Sequence, residues 1–375
     1  MGFPLRKLGD FLSPLTSLLT HQISIPQHSH LPTEMFPSLR TSEMLLISYV
    51  RNQAMHKITK VPPWLLVNVI AGIVLVSGVV GVSYMGNNTT SLASNQIYIV
   101  TTTGMLADAA RNIGGNKVVV DGLMGPGVDP HLYSATAGDL EKLLKADIIF
   151  INGLHLEAGM GEAIEAIKDK PVIAVGDEIP RELLLEGISA FQDPHIWFDV
   201  GMWKQVVQIM GEKLQKHFPS HHDYFQDQTE HYVGLLGLLQ EYIQAQLIPL
   251  PLGNRTLVTA HDAFNYFGRA YNFTVVGLQG ISTVTEAGTG DISALARFIT
   301  DNQIPAIFIE SSVPIQNVKA VQANCQDRGW VLKIGGELYS DAMGDGNSFD
   351  GTYIGMFKHN IDTIIGALLT EVVQE

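Results

Sequence analysis

Residues 97–153 read IYIVTTTGMLADAARNIGGNKVVVDGLMGPGVDPHLYSATAGDLEKLLKADIIFING. The run IYIVTTT predicts a strand, Met105–Ile113 a helix, KVVVDGLM a second strand, Ala137–Lys145 a second helix and DIIFING a third strand. Short β-branched strands alternating with helices call for a parallel sheet covered on both faces. PVIAVG at 171–176 extends the series. The alternation returns after residue 250, where TLVTA, TVVGL, AIFIE and WVLKIG are strand-like and helices are expected near 263–271, 292–302, 315–328 and 353–373.

Between the two halves, Tyr224–Leu247 contains no proline, and Tyr232, Leu235, Leu236, Leu239 and Tyr242 recur at helical spacing. One face of this stretch is apolar, as a helix packed on both halves requires. The predicted fold is α/β: two Rossmann-like lobes with mostly parallel sheets, joined by a long spine helix. The expected division is a first lobe at 94–218, a linker helix at 219–248 and a second lobe at 249–375.

No charged residue stands between Lys60 and Asp108, and Trp64–Tyr84 is apolar over a length that spans a bilayer as a helix. Residues 61–93 are therefore expected to be a signal peptide, with a mature start at Ser94, or an uncleaved anchor. Residues 1–60 read as a disordered extension or an over-long gene start; Met55 would open a leader of ordinary proportions. The first 60 residues carry six Lys/Arg against three Asp/Glu, so of the net −14 about −17 falls on the remainder. That acidity argues against nucleic-acid binding. Cys325 is the only cysteine, which excludes an intrachain disulfide, a thiolate zinc cluster and a lipidated cysteine behind the apolar leader. It reads as a buried structural thiol.

Four short segments carry the chemistry. Asp-Pro-His occurs twice, ending at His131 and at His195, with proline stiffening the chain ahead of each imidazole. His261 follows the strand LVTA and is expected to open a helix, and Asp341 lies in SDAMGD after WVLKIG. Loops beyond the carboxyl ends of strands are where open α/β sheets bind ligands. Three imidazoles and one carboxylate make a complete tetrahedral set for a borderline divalent ion in the cleft between the lobes. Each residue also has a plainer reading: a lone loop histidine, an exposed residue at a helix start, or an aspartate capping a turn, with Asp345 and Asp350 as neighbours of Asp341. Asp129 and Asp193 fit turn formation, or a carboxylate accepting a ligand's ring N–H, better than direct ligation.

The runs VDPHLYSATAGDLEKLLKADIIFINGLHLEAGM, DPHIWFDV, TAHDAFNYFGRAYNF, PAIFIESSVP, GGELYSDAMG and GTYIGMFKHNIDTI resemble the zinc/manganese ABC-transporter solute-binding proteins (the cluster A-I metal receptors), in their TroA-like branch. The resemblance covers about three quarters of the chain. It implies that the spine helix limits lobe motion, and that His131, His195, His261 and Asp341 are the metal ligands, with Asp341 favoured over its neighbours. It further implies an exported, periplasmic or otherwise extracytoplasmic monomer that carries one Zn²⁺ or Mn²⁺ to an ABC permease with a separate cytoplasmic ATPase. Histidine rather than glutamate at 261 shifts the preference towards Zn²⁺, with Mn²⁺ close behind. The absence of a long His/Asp/Glu-rich loop between His131 and His195 pulls the other way. His155 is expected to line the cleft, Glu286 to stand behind the ligands, and His217, His221, His222, His231 and His359 to be solvated or packing residues.

A metal-dependent hydrolase is the competing reading, with Glu286 as its base. Catalytic zinc keeps three protein ligands and an open position, whereas four candidates are available here. Neither H-E-x-x-H nor G-x-S-x-G occurs, and no phosphate-binding G-x-x-x-x-G-K-[ST] loop is present. The expectation is therefore a carrier and not an enzyme; an added adhesion role would leave no mark in the sequence.

Overall fold

The computed structural model describes residues 96–187 and 191–369. The extension, the leader with Trp64–Tyr84 and the proposed mature start lie outside the described residues.

The first half contains β1 (Ile97–Thr101), α1 (Gly104–Gly114), β2 (Val118–Gly122), α2 (Ala137–Lys145), β3 (Ile148–Ile151), α3 (Gly161–Glu165) and β4 (Val172–Ala174). Its four strands are all parallel, in the order β2-β1-β3-β4. α2 starts where Thr136 and Asp139 form a reciprocal capping box, a T-x-x-D signal that satisfies two amide groups at the helix start.

Two long helices follow, α4 (Val200–His217) and α5 (His222–Leu247). α5 is the expected spine, burying Phe225, Thr229, Tyr232, Leu236, Leu239, Ile243 and Leu247 along one face. α4 is an addition to the sequence reading, which assigns no element to 200–217. Its pattern is diluted by Gly201, Gly211 and four β-branched residues, yet Asp199 caps it by accepting from the amides of Gly201 and Met202. α4 and α5 pack closely because Gly211 has no side chain; a Cβ there would run into Thr229.

The second half repeats the first plan: β5 (Thr256–His261), α6 (Asn265–Tyr271), β6 (Thr274–Gln279), α7 (Thr289–Asp301), β7 (Ala306–Glu310), α8 (Gln316–Asp327), β8 (Lys333–Leu338) and α9 (Tyr353–Leu369). β5 pairs with β6 and β7 with β8, each pair parallel, and β5 lies beside β7. β8 begins three residues later than the apolar run suggests, because pairing with β7 starts at Lys333 while Val331 is 78% exposed.

One apolar core crosses from half to half. It takes Ile99 and Phe150 from the first sheet, Trp203 and Val207 from α4, Leu236 and Ile243 from α5, and Phe264, Phe308 and Phe357 from the second half. Smaller cores lie under the outer faces of each half. Among the buried polar groups, Asp108 of α1 accepts from the Tyr232 hydroxyl of α5 (2.7 Å) and from the Tyr353 amide of α9 (3.3 Å). The halves are thus joined through packed helices as well as through the connecting chain, an arrangement that resists large hinge motion.

Candidate metal centre

His131 and His195 descend from the two Asp-Pro-His tripeptides, and both tripeptides form the same local turn. The aspartate side chain accepts the backbone N–H two residues on: Asp129 from His131 at 2.8 Å and Asp193 from His195 at 3.0 Å. His261 is the last residue of β5, still in register with Gln279 of β6. It ends a strand where the sequence suggested the start of a helix, and α6 begins four residues later. Asp341 follows β8 in a loop whose Ser340 carbonyl accepts from the Trp197 indole at 3.0 Å.

These four residues converge, all buried, with one potential ligand atom each lying within 4.8 Å of the others. The Nε2 atoms of His131 and His195 are 3.3 Å apart. Asp341 oxygens stand 3.4 Å from His195 Nε2, 3.3 Å from His261 Nε2 and 3.8 Å from His131 Nε2. His261 Nε2 and both Asp341 oxygens have no hydrogen-bond partner in the protein. Leaving such atoms buried and unpaired is costly, and their shared direction is what a single small cation would satisfy.

The outer ring nitrogens are fixed unequally. His195 Nδ1 donates to Asp193 at 2.7 Å. His261 Nδ1 donates to Glu310, whose other oxygen accepts the His261 backbone N–H at 2.8 Å. An ionised carboxylate on Nδ1 leaves the Nε2 lone pair directed into the centre and makes it more basic. His131 has no carboxylate on its ring. The second oxygen of Asp129 instead accepts from the Thr283 hydroxyl at 2.6 Å.

Protonation follows these surroundings. Burial pushes His131 down to about 4. Burial also disfavours charge on His195, but Asp193 and Asp341 outweigh it and raise His195 to about 9. At His261 burial is likewise overcome, here by Glu310 and Asp341, and its pKa rises well above the ordinary value. Burial alone would raise Asp341; the charges of His261 and His195 hold it well below the usual carboxylate range.

Glu310 is the site residue that sequence reasoning missed. A signal was available: AIFIE ends in an acidic residue at the carboxyl end of a buried strand, the same level at which β5 ends in His261. Glu286, expected behind the ligands, bonds to none of the four; it lines a cavity of about 580 Å³ beside them. His155 lines the same cavity and stacks on Phe191 with ring centroids 4.0 Å apart. His217, His222 and His231 are exposed, His221 packs against Phe225, and His359 bonds the Glu337 carbonyl. Cys325 is buried.

Two parallel α/β halves braced by long helices, with an enclosed three-histidine, one-aspartate centre, are the build of a metal-binding solute receptor. Comparison with known proteins agrees. The family model described as "ZnuA: Zinc-uptake complex component A periplasmic" matches residues 99–367. The zinc-binding protein TroA of Treponema pallidum is 50% identical over 277 residues, 74% of this chain and 90% of that protein. The manganese-binding lipoprotein MntA of Bacillus subtilis is 44% identical over 278 residues, 74% of this chain and 91% of its own. The solved structure of the periplasmic zinc-binding TroA from Treponema pallidum superposes with a TM-score of 0.72, covering 73% of this chain and 99% of that one. The chain belongs to this ZnuA family of metal-binding ABC-transporter solute-binding proteins, in its TroA-like branch.

Proposed function

We propose that His131, His195, His261 and Asp341 hold one divalent ion per chain as cargo, Zn²⁺ by preference and Mn²⁺ next. On this reading the chain works as a monomer outside the cytoplasm and hands the ion to an ABC permease driven by a separate ATPase. The observation that carries the assignment is the set of orphaned atoms: His261 Nε2 and both oxygens of Asp341, buried and aimed at the same point as two further imidazoles. Three nitrogen donors and one carboxylate suit zinc; bidentate attachment of Asp341 would give the five-coordinate sphere that manganese accepts. Similarity to both a zinc-binding and a manganese-binding protein supports cargo drawn from this pair of ions. Four protein donors leave no open position for an activated water, which favours carriage over catalysis.

We further assign 94–218 and 249–375 to the two lobes and 219–248 to the brace between them, with 61–93 as the export leader or a membrane tether and 1–60 as an extension. A 26-residue α5 spanning His222–Leu247 supports the brace.

Charge gives the binding event its form. In the metal-free protein His195 and His261 each hold a proton against Asp193, Glu310 and Asp341. One dication displacing two protons leaves the buried charge unchanged. Affinity should therefore climb as pH rises through neutrality towards the His195 value of about 9, with the raised His261 adding to the slope. Titrating the metal-stripped chain with Zn²⁺ at pH 7 in buffers of different ionisation enthalpy should show one site and the release of about two protons. A stoichiometry other than one, or no proton release, would count against the assignment.

A further inference from the structure

The two edges of the centre are tied across the cleft to very different degrees. On the His195 edge, the Asp193 carbonyl accepts from the Tyr266 hydroxyl at 2.8 Å, and the Asp193 carboxylate accepts from Asn265 at 3.2 Å. The Tyr266 hydroxyl in turn accepts the Leu185 amide at 3.0 Å. The Trp197 indole holds the Ser340 carbonyl at 3.0 Å, and the Trp197 carbonyl accepts from Tyr353 at 2.7 Å. On the His131 edge, among the described residues, one hydrogen bond crosses outside the centre itself: Thr283 Oγ1 to Asp129 Oδ2 at 2.6 Å.

That single bond is well placed. Asp129 uses its other oxygen to fix the His131 backbone amide, so Thr283 holds the histidine through the carboxylate. Thr283 is buried, which shields the bond from competing water. The 580 Å³ cavity abuts His131 and none of the other three candidate ligands. On its wall the Gln279 side-chain oxygen is buried and without a hydrogen-bond partner.

We propose that the Thr283–Asp129 hydrogen bond is the latch that positions His131, so that the ion leaves by losing His131 first and passing through the cavity beside Gln279. The proposal rests on the assignment of the four residues as ligands. Thr283 acts through Asp129 and is a positioning residue, not a ligand. A hydrogen bond to a buried carboxylate is among the stronger kinds. Its loss should therefore speed ion release by roughly 10- to 100-fold.

The test is the rate of Zn²⁺ release to an excess chromogenic chelator, by stopped flow, for the whole chain and its Thr283→Val, Thr283→Ser and Tyr266→Phe variants. Valine keeps the volume and removes the hydroxyl, while serine keeps the hydroxyl. We expect Thr283→Val to release about tenfold faster or more, and Thr283→Ser to stay near the parent rate. Metal-free Thr283→Val should melt somewhat lower, since it leaves an oxygen of Asp129 unpaired. The discriminating readout is therefore its release rate against that of Tyr266→Phe, which a general structural role would not order this way. Tyr266→Phe, on the tied edge, should also lower the metal-free melting temperature and speed release less than Thr283→Val. Release from Thr283→Val at the parent rate, or faster release from Tyr266→Phe, would overturn the latch while leaving the site intact. A parent chain that takes up no Zn²⁺ at one per chain would instead overturn the ligand assignment, and the latch with it.

Discussion

The two Asp-Pro-His tripeptides share their sequence and their backbone turn, and differ in nearly everything beyond. At 193–195 the aspartate holds both the amide and the ring of its histidine. At 129–131 it holds the amide and leaves the ring alone, spending its second oxygen on Thr283 across the cleft. The consequence is chemical: His195 is raised to about 9 and His131, mainly through burial, is lowered to about 4. A local turn repeats when its residues repeat, because it depends on atoms two residues apart. A ring's environment does not, because it is assembled from distant strands. On the proposed assignment, the difference separates an anchoring ligand from a releasable one.

The comparison breaks most visibly if the anchor is removed. His195→Ala leaves Asp193 without the imidazole on its carboxylate and Asp341 with His261 as its remaining close partner, in a place where unpaired charge is expensive. We expect it to cost more than the ~100-fold that a supporting partner of a ligand is worth, and to cost more than His131→Ala, both read as equilibrium Zn²⁺ affinity by chelator competition. The next contrast sharpens the role of the two aspartates. Asp193→Asn weakens the carboxylate on the ring of His195 and should lower affinity about 10- to 100-fold. Asp129→Asn keeps an acceptor for the His131 amide and should lose less than about tenfold on the same scale. Equal losses in the two variants would erase the distinction.

The smallest effect is on the metal-free fold, and its sign differs between the edges. His195 has a raised pKa, so its contribution is present below the ordinary histidine value of 6.5 and is lost as pH rises through about 9. His131 has a lowered pKa. The unfolded chain binds its proton more readily, so stability falls as pH drops from 6.5 through about 4. Melting of the stripped chain should therefore be highest near neutrality and fall by several degrees on each side. His131→Gln should flatten the acidic limb selectively.

Much of this was legible in the chain. The alternation of β-branched runs with helices from Ile97 gave two parallel α/β halves, because buried parallel strands need continuous apolar runs. The apolar stripe through Tyr232, Leu236 and Leu239 gave the spine helix. All four nominated residues meet: His261 ends β5 and Asp341 follows β8, while His131 and His195 lie in the turns that their Asp-Pro-His tripeptides form. What stayed hidden was tertiary. Glu310 pairs with His261 because β5 lies beside β7, a neighbour relation that spacing does not encode. Thr283 sits in an irregular loop with no periodicity. α4 was obscured by glycines whose purpose, the close approach of Gly211 to Thr229, appears only once α5 is packed against it. The shared core was equally hidden: each half was long enough to bury a core of its own, yet the largest cluster belongs to both.

If His131, His195, His261 and Asp341 together surround one ion, all three imidazoles must stand in its first sphere. X-ray absorption at the zinc edge of the loaded chain tests it most directly. We expect a single site with a first sphere of three imidazole nitrogens at about 2.0–2.1 Å completed by carboxylate oxygen, with the imidazole signal reduced by one in a His131→Ala sample that still retains metal. An oxygen-only sphere of hydrated zinc, or an imidazole count unaltered by that substitution, would contradict it.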